Sequence, residues 1–243
     1  LIEKPPALTL AAFDAIADAA DDSRTVAMIG QTVRFQPAIT ELISQIDNGV
    51  VGEPMLLHAS WYAGHVWPRA WRGWQLDAER SGGHLIHNGM HALDLTLRCL
   101  RQPAVRVFTR GWKTYSPDLP TPDSFHMTLR CANGALATLE TTYGLRPPAD
   151  PVRRIMVAGT QGTLLHDTTK EIELSNPSVS GTPPSVENAM THEVAAWLGA
   201  IHAGAPSPIP LTESRAALAA AIAAQNSLES GRPVTIEQAS SQP

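Results

Sequence analysis

The 243-residue sequence lacks the marks of several large protein classes. It has only two cysteines, Cys99 and Cys131, in no CxxC spacing, which reads as two buried thiols in a reducing compartment and makes the cytoplasm the expected location. No apolar run approaches the roughly 18 residues that span a bilayer. The start has none of the basic and then apolar layout of a secretory signal. No membrane role is therefore expected. Neither sign of charge is in large excess: 18 Lys and Arg against 23 Asp and Glu leave a formal charge of -5, and the cations are scattered. That argues against a nucleic-acid surface held by counterion release and favours a small neutral or polar ligand. There is no internal repeat, and low complexity is confined to Ala-rich helices.

With 43% apolar residues, the chain can build one good core or two modest ones. Leu1-Ile2-Glu3-Lys4-Pro5 reads as the end of a buried strand running into a loop, so the fold is expected to begin before Leu1. From Thr9, an N-cap, to Ala20 the apolar residues Leu10, Phe13, Ile16 and Ala17 recur at helical spacing. Thr25 to Gly30 follows as a short strand. Strand, helix and strand of this length make a βαβ unit, and such parallel strands belong to a larger wound sheet. Pro37 opens a helix through Asp47, closed by Asn48 and Gly49. Met55 to Tyr62 reads as a strand, and 63–81 as a loop rich in Trp and Arg. Gly82-Gly83 opens a helix to about Leu100. Strands are expected at 105–112, 124–131, 135–142, 153–158, 162–166 and 171–174. Asn133-Gly134 and Thr160-Gln161-Gly162 supply tight turns, so this half reads as a meander sheet. After a Pro-rich loop at 175–185, helical spacing resumes at Val194, Trp197, Leu198 and Ile201. A last Ala-rich helix runs from about Thr212 to Leu228, before a polar tail.

Two groups of residues carry chemistry. Lys4 precedes a proline, which restricts it to extended conformations and fixes its direction at the carboxyl end of a strand, where open α/β sheets bind ligands. The second group is Gly82-Gly83-His84-Leu85-Ile86-His87-Asn88-Gly89-Met90-His91. On a regular helix, His84, His87 and His91 fall within an arc of about 60°, so their imidazoles can share one site. An H-x-x-H-x-x-x-H metal site competes with an acid/base histidine tuned by its neighbour one turn away. The acid/base reading is preferred and no metal ligand is assigned, because metal ligation needs three well-aimed neutral imidazoles and no carboxylate stands at matching spacing before Asp94.

The motifs Glu3-Lys4-Pro5, Arg34-Phe35-Gln36-Pro37, Gly82-Gly83 with His87-Asn88-Gly89-Met90-His91-Ala92-Leu93-Asp94, and Gly159-Thr160-Gln161-Gly162 stand in the order found in the glucose-fructose oxidoreductase, inositol dehydrogenase and rhizopine catabolism (Gfo/Idh/MocA) family. The chain resembles that family over nearly its whole length. The resemblance implies an α/β protein: residues 1–33 as the end of a doubly wound Rossmann domain, and 34–243 as an α+β domain with a large open, mainly antiparallel sheet. That sheet would form one wall of the substrate pocket and the homo-oligomer interface. It implies NAD or NADP as cofactor, with Glu3, Lys4 and Arg34 on the cofactor side. Lys4 would contact both the reacting oxygen and the nicotinamide end. His91 would take the hydroxyl proton as hydride leaves the carbon, with His87 beside it, and imidazole titrates near neutral pH while an ammonium stabilises developing alkoxide.

Two departures stand against the family pattern. The family carries Asp four residues before its catalytic His; here that position is His87, which supplies no fixed negative charge. There is also no GxGxxG, and Gly159 to Gly162 lies between strands with no helix to bind an anion. Roughly 100 residues of nucleotide-binding domain are expected ahead of Leu1.

The stretch from Trp61 to Trp74 carries four of the six tryptophans, with Tyr62, His65, Arg69 and Arg72 among them. Aromatic faces stack on the C–H side of sugar rings, which suits a sugar or cyclitol substrate. His84, Tyr62, Arg72, Trp74 and Asn88 are the candidate substrate contacts. Packing of Trp61 and Trp67 at a domain interface is the competing reading. The expected activity, of the parent protein with its nucleotide-binding domain, is hydride transfer between NAD(P) and a secondary hydroxyl; the chain as given is not expected to bind a dinucleotide tightly. Transient cofactor use in glycoside cleavage, an inactive dimerising sheet domain and a His-cluster metal hydrolase are the alternatives.

Overall fold

The computed structural model describes residues 1–63, 74, 77–114, 121–144, 152–168, 170–174 and 188–238. Helix α1 (Leu10–Ser23) starts where the Thr9 hydroxyl accepts from the Ala12 amide at 3.2 Å. It links two extended segments that meet in parallel at Ile2 and Ile29. The Ile2 amide donates to Met28 O at 2.9 Å and the Gly30 amide to Ile2 O at 2.8 Å. The strand expected over Thr25–Gly30 is thus reduced to one bridge, Ile2 with Ile29. Leu1, expected to be buried, is exposed.

A 3-10 turn (Thr32–Phe35) leads into α2 (Pro37–Asp47), with proline at its first position and Asn48 and Gly49 beyond its end. The large sheet is built from β1 (Pro54–Tyr62), β2 (Ala104–Trp112), β3 (Ser124–Cys131), β4 (Leu136–Thr142), β5 (Val152–Gly159), β6 (Thr163–Asp167), β7 (Lys170–Leu174) and the two-residue β8 (Val234–Thr235). Its order is β7-β6-β5-β1-β4-β3-β2-β8. All pairs are antiparallel except β1 with β4. The expected single meander is therefore two, β2-β3-β4 and β5-β6-β7, with β1 inserted between them. The expected open, mainly antiparallel sheet is what forms.

Alternation along the strands separates two faces. Leu57, Ala59, Val107, Phe125, Met127, Leu129, Ala137, Leu139, Ile155, Val157 and Leu164 are buried on one of them. Against that face pack α4 (Met90–Leu100) and α6 (Leu211–Ser230). Alanines 217, 219, 220, 221, 223 and 224 of α6 are all buried, small enough to let helix, sheet and α4 approach closely. The Ser227 hydroxyl ties α6 to β2 by accepting from the Thr109 amide at 2.9 Å. Leu56, Trp112 and Leu136 are exposed large apolar residues of the strands. Helix α5 (Ala189–Ala203) returns to the N-terminal segment, where the Trp197 indole donates to Val26 O at 2.7 Å. Cys99 and Cys131 are free and buried. Among the described residues no helix is long and apolar enough to cross a membrane.

Candidate functional site

The parallel bridge fixes the site. Lys4 and Gln31 each lie two residues beyond the paired Ile2 and Ile29, so both leave the carboxyl end of the pair. The Lys4 ammonium donates to the His87 carbonyl at 2.7 Å and reaches the Asn88 amide oxygen at 3.4 Å. The first segment is thereby tied to the histidine-bearing turn across more than eighty residues. Burial lowers the Lys4 pKa to about 8, partly opposed by the neighbouring Glu3 carboxylate. Glu3 is exposed and runs over Gly30, its Oε2 3.4 Å from where a side chain there would begin.

The turn itself departs from the regular helix expected over 84–100. Helix α3 (Ala78–Ser81), capped by Asp77, ends at Gly82 with φ +74. A Cβ at Gly82 would meet the Ile86 side chain at 2.8 Å, so glycine is required there on two counts. After Gly83 the chain makes a wide π turn (Leu85–Gly89) before α4 begins. Such turns change the angular spacing of side chains and recur at functional sites. The three imidazoles accordingly do not share one point. His84 stacks on Tyr143 with centroids 5.7 Å apart and planes 10° from parallel. His87 meets the edge of Trp74 at 5.1 Å. His91 Nδ1 lies 3.1 Å from Gln31 Oε1. Among the described residues no three of His, Cys, Asp and Glu are grouped to hold a metal.

Of the expected substrate contacts, His84 and Asn88 lie on this turn, and Trp74 meets it at the His87 ring. Tyr62 does not join them. Burial raises its pKa, and its hydroxyl is shared with Ser60 and Glu140, its neighbours on the other face of the sheet from Ala59 and Trp61. Strand alternation turns it away. Trp61 packs with Ala92, Leu95 and Thr96 of α4, and the Arg153 guanidinium covers its ring at 3.9 Å. It is a packing residue. Arg72, His65, Trp67, Arg69 and Trp71 lie outside the described residues.

Arg34, expected toward the cofactor, is committed elsewhere. Its Nε and Nη2 make a bidentate pair with Asp94 at 2.7 and 2.6 Å, and Nη1 donates to Glu213. Burial works against its charge, but the two carboxylates outweigh it and raise the pKa. It lines a cavity of about 380 Å³ with Leu97, Arg98 and Glu213, to which neither Lys4, His87 nor His91 contributes.

Sequence reading missed Gln31, Tyr143 and Glu193. Gln31 is 1% exposed and sits at a position equivalent to Lys4 in the parallel pair, the one signal that would have found it. Glu193 of α5 is buried, accepts from the Thr32 hydroxyl at 2.8 Å and has its pKa raised by burial. Two amide groups, Gln31 Nε2 and Asn88 Nδ2, are buried without a hydrogen-bond partner among the described residues. A ligand bearing hydroxyl or carbonyl oxygens would satisfy both.

Residues 39–165 match the family model described as GFO/IDH/MocA C-terminal domain. Inositol 2-dehydrogenase 2 of Paenarthrobacter aurescens is 29% identical over 95% of this chain and 69% of its own. Myo-inositol 2-dehydrogenase of Thermotoga maritima is 23% identical over 97% of this chain and 72% of its own. A solved levoglucosan dehydrogenase, in complex with NADH and levoglucosan, superposes with a TM-score of 0.81 at 18% identity, over 98% of this chain and 74% of that one. At that identity the likeness is one of fold.

Proposed function

The chain belongs to the GFO/IDH/MocA family of oxidoreductases, and from that premise we propose that it transfers hydride between NAD or NADP and a secondary hydroxyl of a sugar, cyclitol or related cyclic alcohol. The observation that carries the reading is the reach of Lys4 to the turn holding His87 and Asn88, one helical turn before His91. His91 takes the hydroxyl proton. Lys4 hydrogen-bonds the oxygen on which negative charge builds, at the carboxyl end of the parallel pair where such sheets bind ligands. Nicotinamide, when bound, supplies the hydride acceptor.

The residues present fit the nicotinamide end of that cofactor. Glu3 and Lys4 would hold it, and the unsatisfied amides of Gln31 and Asn88 would offer donors to a carboxamide or to substrate hydroxyls. No GxGxxG loop for the pyrophosphate occurs in the sequence. Residues 1–33 belong in this reading to the cofactor half, and 34–243 to the half that holds substrate and assembles. Trp74, His84, His87 and Asn88 face the ring of the alcohol, and Arg72 belongs with them by sequence. The named substrates of the similar dehydrogenases, inositols and levoglucosan, are of this class. The open sheet face joins copies of the chain. Two free buried thiols fit a reducing cytoplasm.

The test is titration of NAD and NADP into the chain and into a version extended upstream to a start codon, followed, for both, by a panel of inositols, pyranoses and anhydrosugars read by nicotinamide absorbance. Turnover with a cyclic polyol that is lost in both Lys4→Met and His91→Ala supports the reading. Absence of cofactor binding and of turnover across the panel rejects it.

A further inference from the structure

Gln31 touches the acid/base candidate His91, its amide oxygen 3.1 Å from the ring Nδ1. The Ile2–Ile29 bridge delivers Lys4 and Gln31 to the same end of two adjacent parallel segments. Gln31 is held at both ends: its amide donates to Ile29 O at 2.9 Å, and its carbonyl accepts from the Arg34 amide at 2.9 Å. Its side chain is buried, and its amide oxygen lies 3.1 Å from His91 Nδ1. We propose that Gln31 is a positioning residue for His91, accepting the Nδ1 proton so that the Nε2 lone pair is presented to the substrate, and doing so without charge.

The chemistry of this arrangement differs from that of a carboxylate-backed imidazole. A carboxylate orients the ring and also raises its basicity; an amide oxygen orients it alone. With His87 one turn earlier in place of a carboxylate, His91 receives direction from Gln31 and no fixed negative charge from either neighbour. Among the described residues, the charged and titratable groups around this end are Glu3 and Lys4 of the first segment, His84 and His87 of the turn, Asp94 in α4 and Glu193 of α5. Asp94 is engaged by Arg34, and Glu193 by Thr32. An uncharged acceptor orients the ring and adds no negative charge that would favour the imidazolium.

This inference rests on the reading of His91 as the acid/base group, and its test is independent of turnover. In ¹⁵N NMR of the full chain, His91 is expected as the Nδ1–H tautomer. Gln31→Glu retains the acceptor and adds a charge, so His91 should titrate about one to three pH units higher, and the acidic limb of the pH–rate profile should move up with it. Gln31→Met keeps length and removes the acceptor; the tautomer preference should be lost and kcat should fall roughly 10- to 100-fold with KM unchanged, the usual cost of removing the group behind a functional imidazole. An Nε2–H tautomer in the unmodified chain overturns the proposal before any variant is made, as does a His91 titration unmoved by Gln31→Glu. If the NMR coupling is present and no cofactor or polyol reacts, the positioning role stands and the dehydrogenase reading falls.

Discussion

The Lys4 ammonium lies 2.7 Å from the carbonyl of His87, so the first segment is tied to the histidine-bearing turn by a cation that burial discourages. A helix carbonyl is a modest acceptor for such a charge, and no carboxylate among the hydrogen-bond partners of Lys4 repays its desolvation. A cation held at such a cost to the fold is a trade often found at functional sites.

A pH dependence follows. Lys4 has its folded pKa lowered from 10.5 to about 8 by burial. Between those two values the unfolded chain holds a proton that the folded chain has released, so this group makes stability rise with pH across that window. Below about pH 8 both states are protonated and the folded state bears the full cost. Relative to Lys4→Met, the unmodified chain should therefore gain Tm from pH 8 toward pH 10. Paired thermal melts of the two proteins check this, and parallel curves would place the ammonium in water. Turnover by the unmodified chain should decline over the same window as the ammonium is lost.

His87 occupies the position of the family's carboxylate and touches the Trp74 edge. If it contacts the alcohol directly, His87→Ala removes about one hydrogen bond, of order 1–1.5 kcal/mol, and KM for the best polyol should rise roughly tenfold while kcat changes little. Steady-state kinetics on the Ala variant decide. A variant with both constants intact would remove His87 from the site.

Much of the fold is legible in local patterns: the Pro37 and Gly49 ends of α2, the Asn133-Gly134 turn and the strand periods all appear where alternation and turn chemistry put them. The insertion of β1 between two meanders depends on pairings remote in sequence, which no local pattern encodes. Lys4 and the His87–His91 turn are legible as chemistry. The fanning of the three imidazoles is not, because the π turn departs from the regular helical spacing that the sequence pattern suggests. Arg34 misleads for a related reason: a cation near a motif gives no sign that Asp94, sixty residues on, has already claimed it.

Asp94 is 2% exposed and bound bidentately, so Asp94→Asn leaves a buried guanidinium with only Glu213, itself 40% exposed, as counter-charge. Breaking a buried pair in this way costs about 3 kcal/mol, or a fall in Tm of roughly 6–12 °C at this chain length. Glu213→Gln should cost about 1 kcal/mol or less, as a half-exposed pair does. Differential scanning calorimetry measures both. Nicotinamide cofactor affinity should be the same in either variant as in the unmodified chain; a large loss in Asp94→Asn at temperatures where it remains folded would return Arg34 to the cofactor site.

The last prediction concerns assembly. Leu56 and Leu136 are neighbours in register across the parallel β1–β4 pair, and they remain 42% and 45% exposed. Two leucines side by side at the middle of an open sheet are what an isologous interface needs at its centre. The double variant Leu56→Lys with Leu136→Glu removes the apolar pair while leaving opposite charges facing each other within the chain, which supports the strand pairing instead of opposing it. Light scattering should then find the unmodified chain as an oligomer and the double variant as a monomer, with unchanged far-UV circular dichroism to show that the sheet is intact. An unmodified chain that is monomeric at every concentration tested would end the interface reading, and an oligomer that survives the double variant would move the interface off this face.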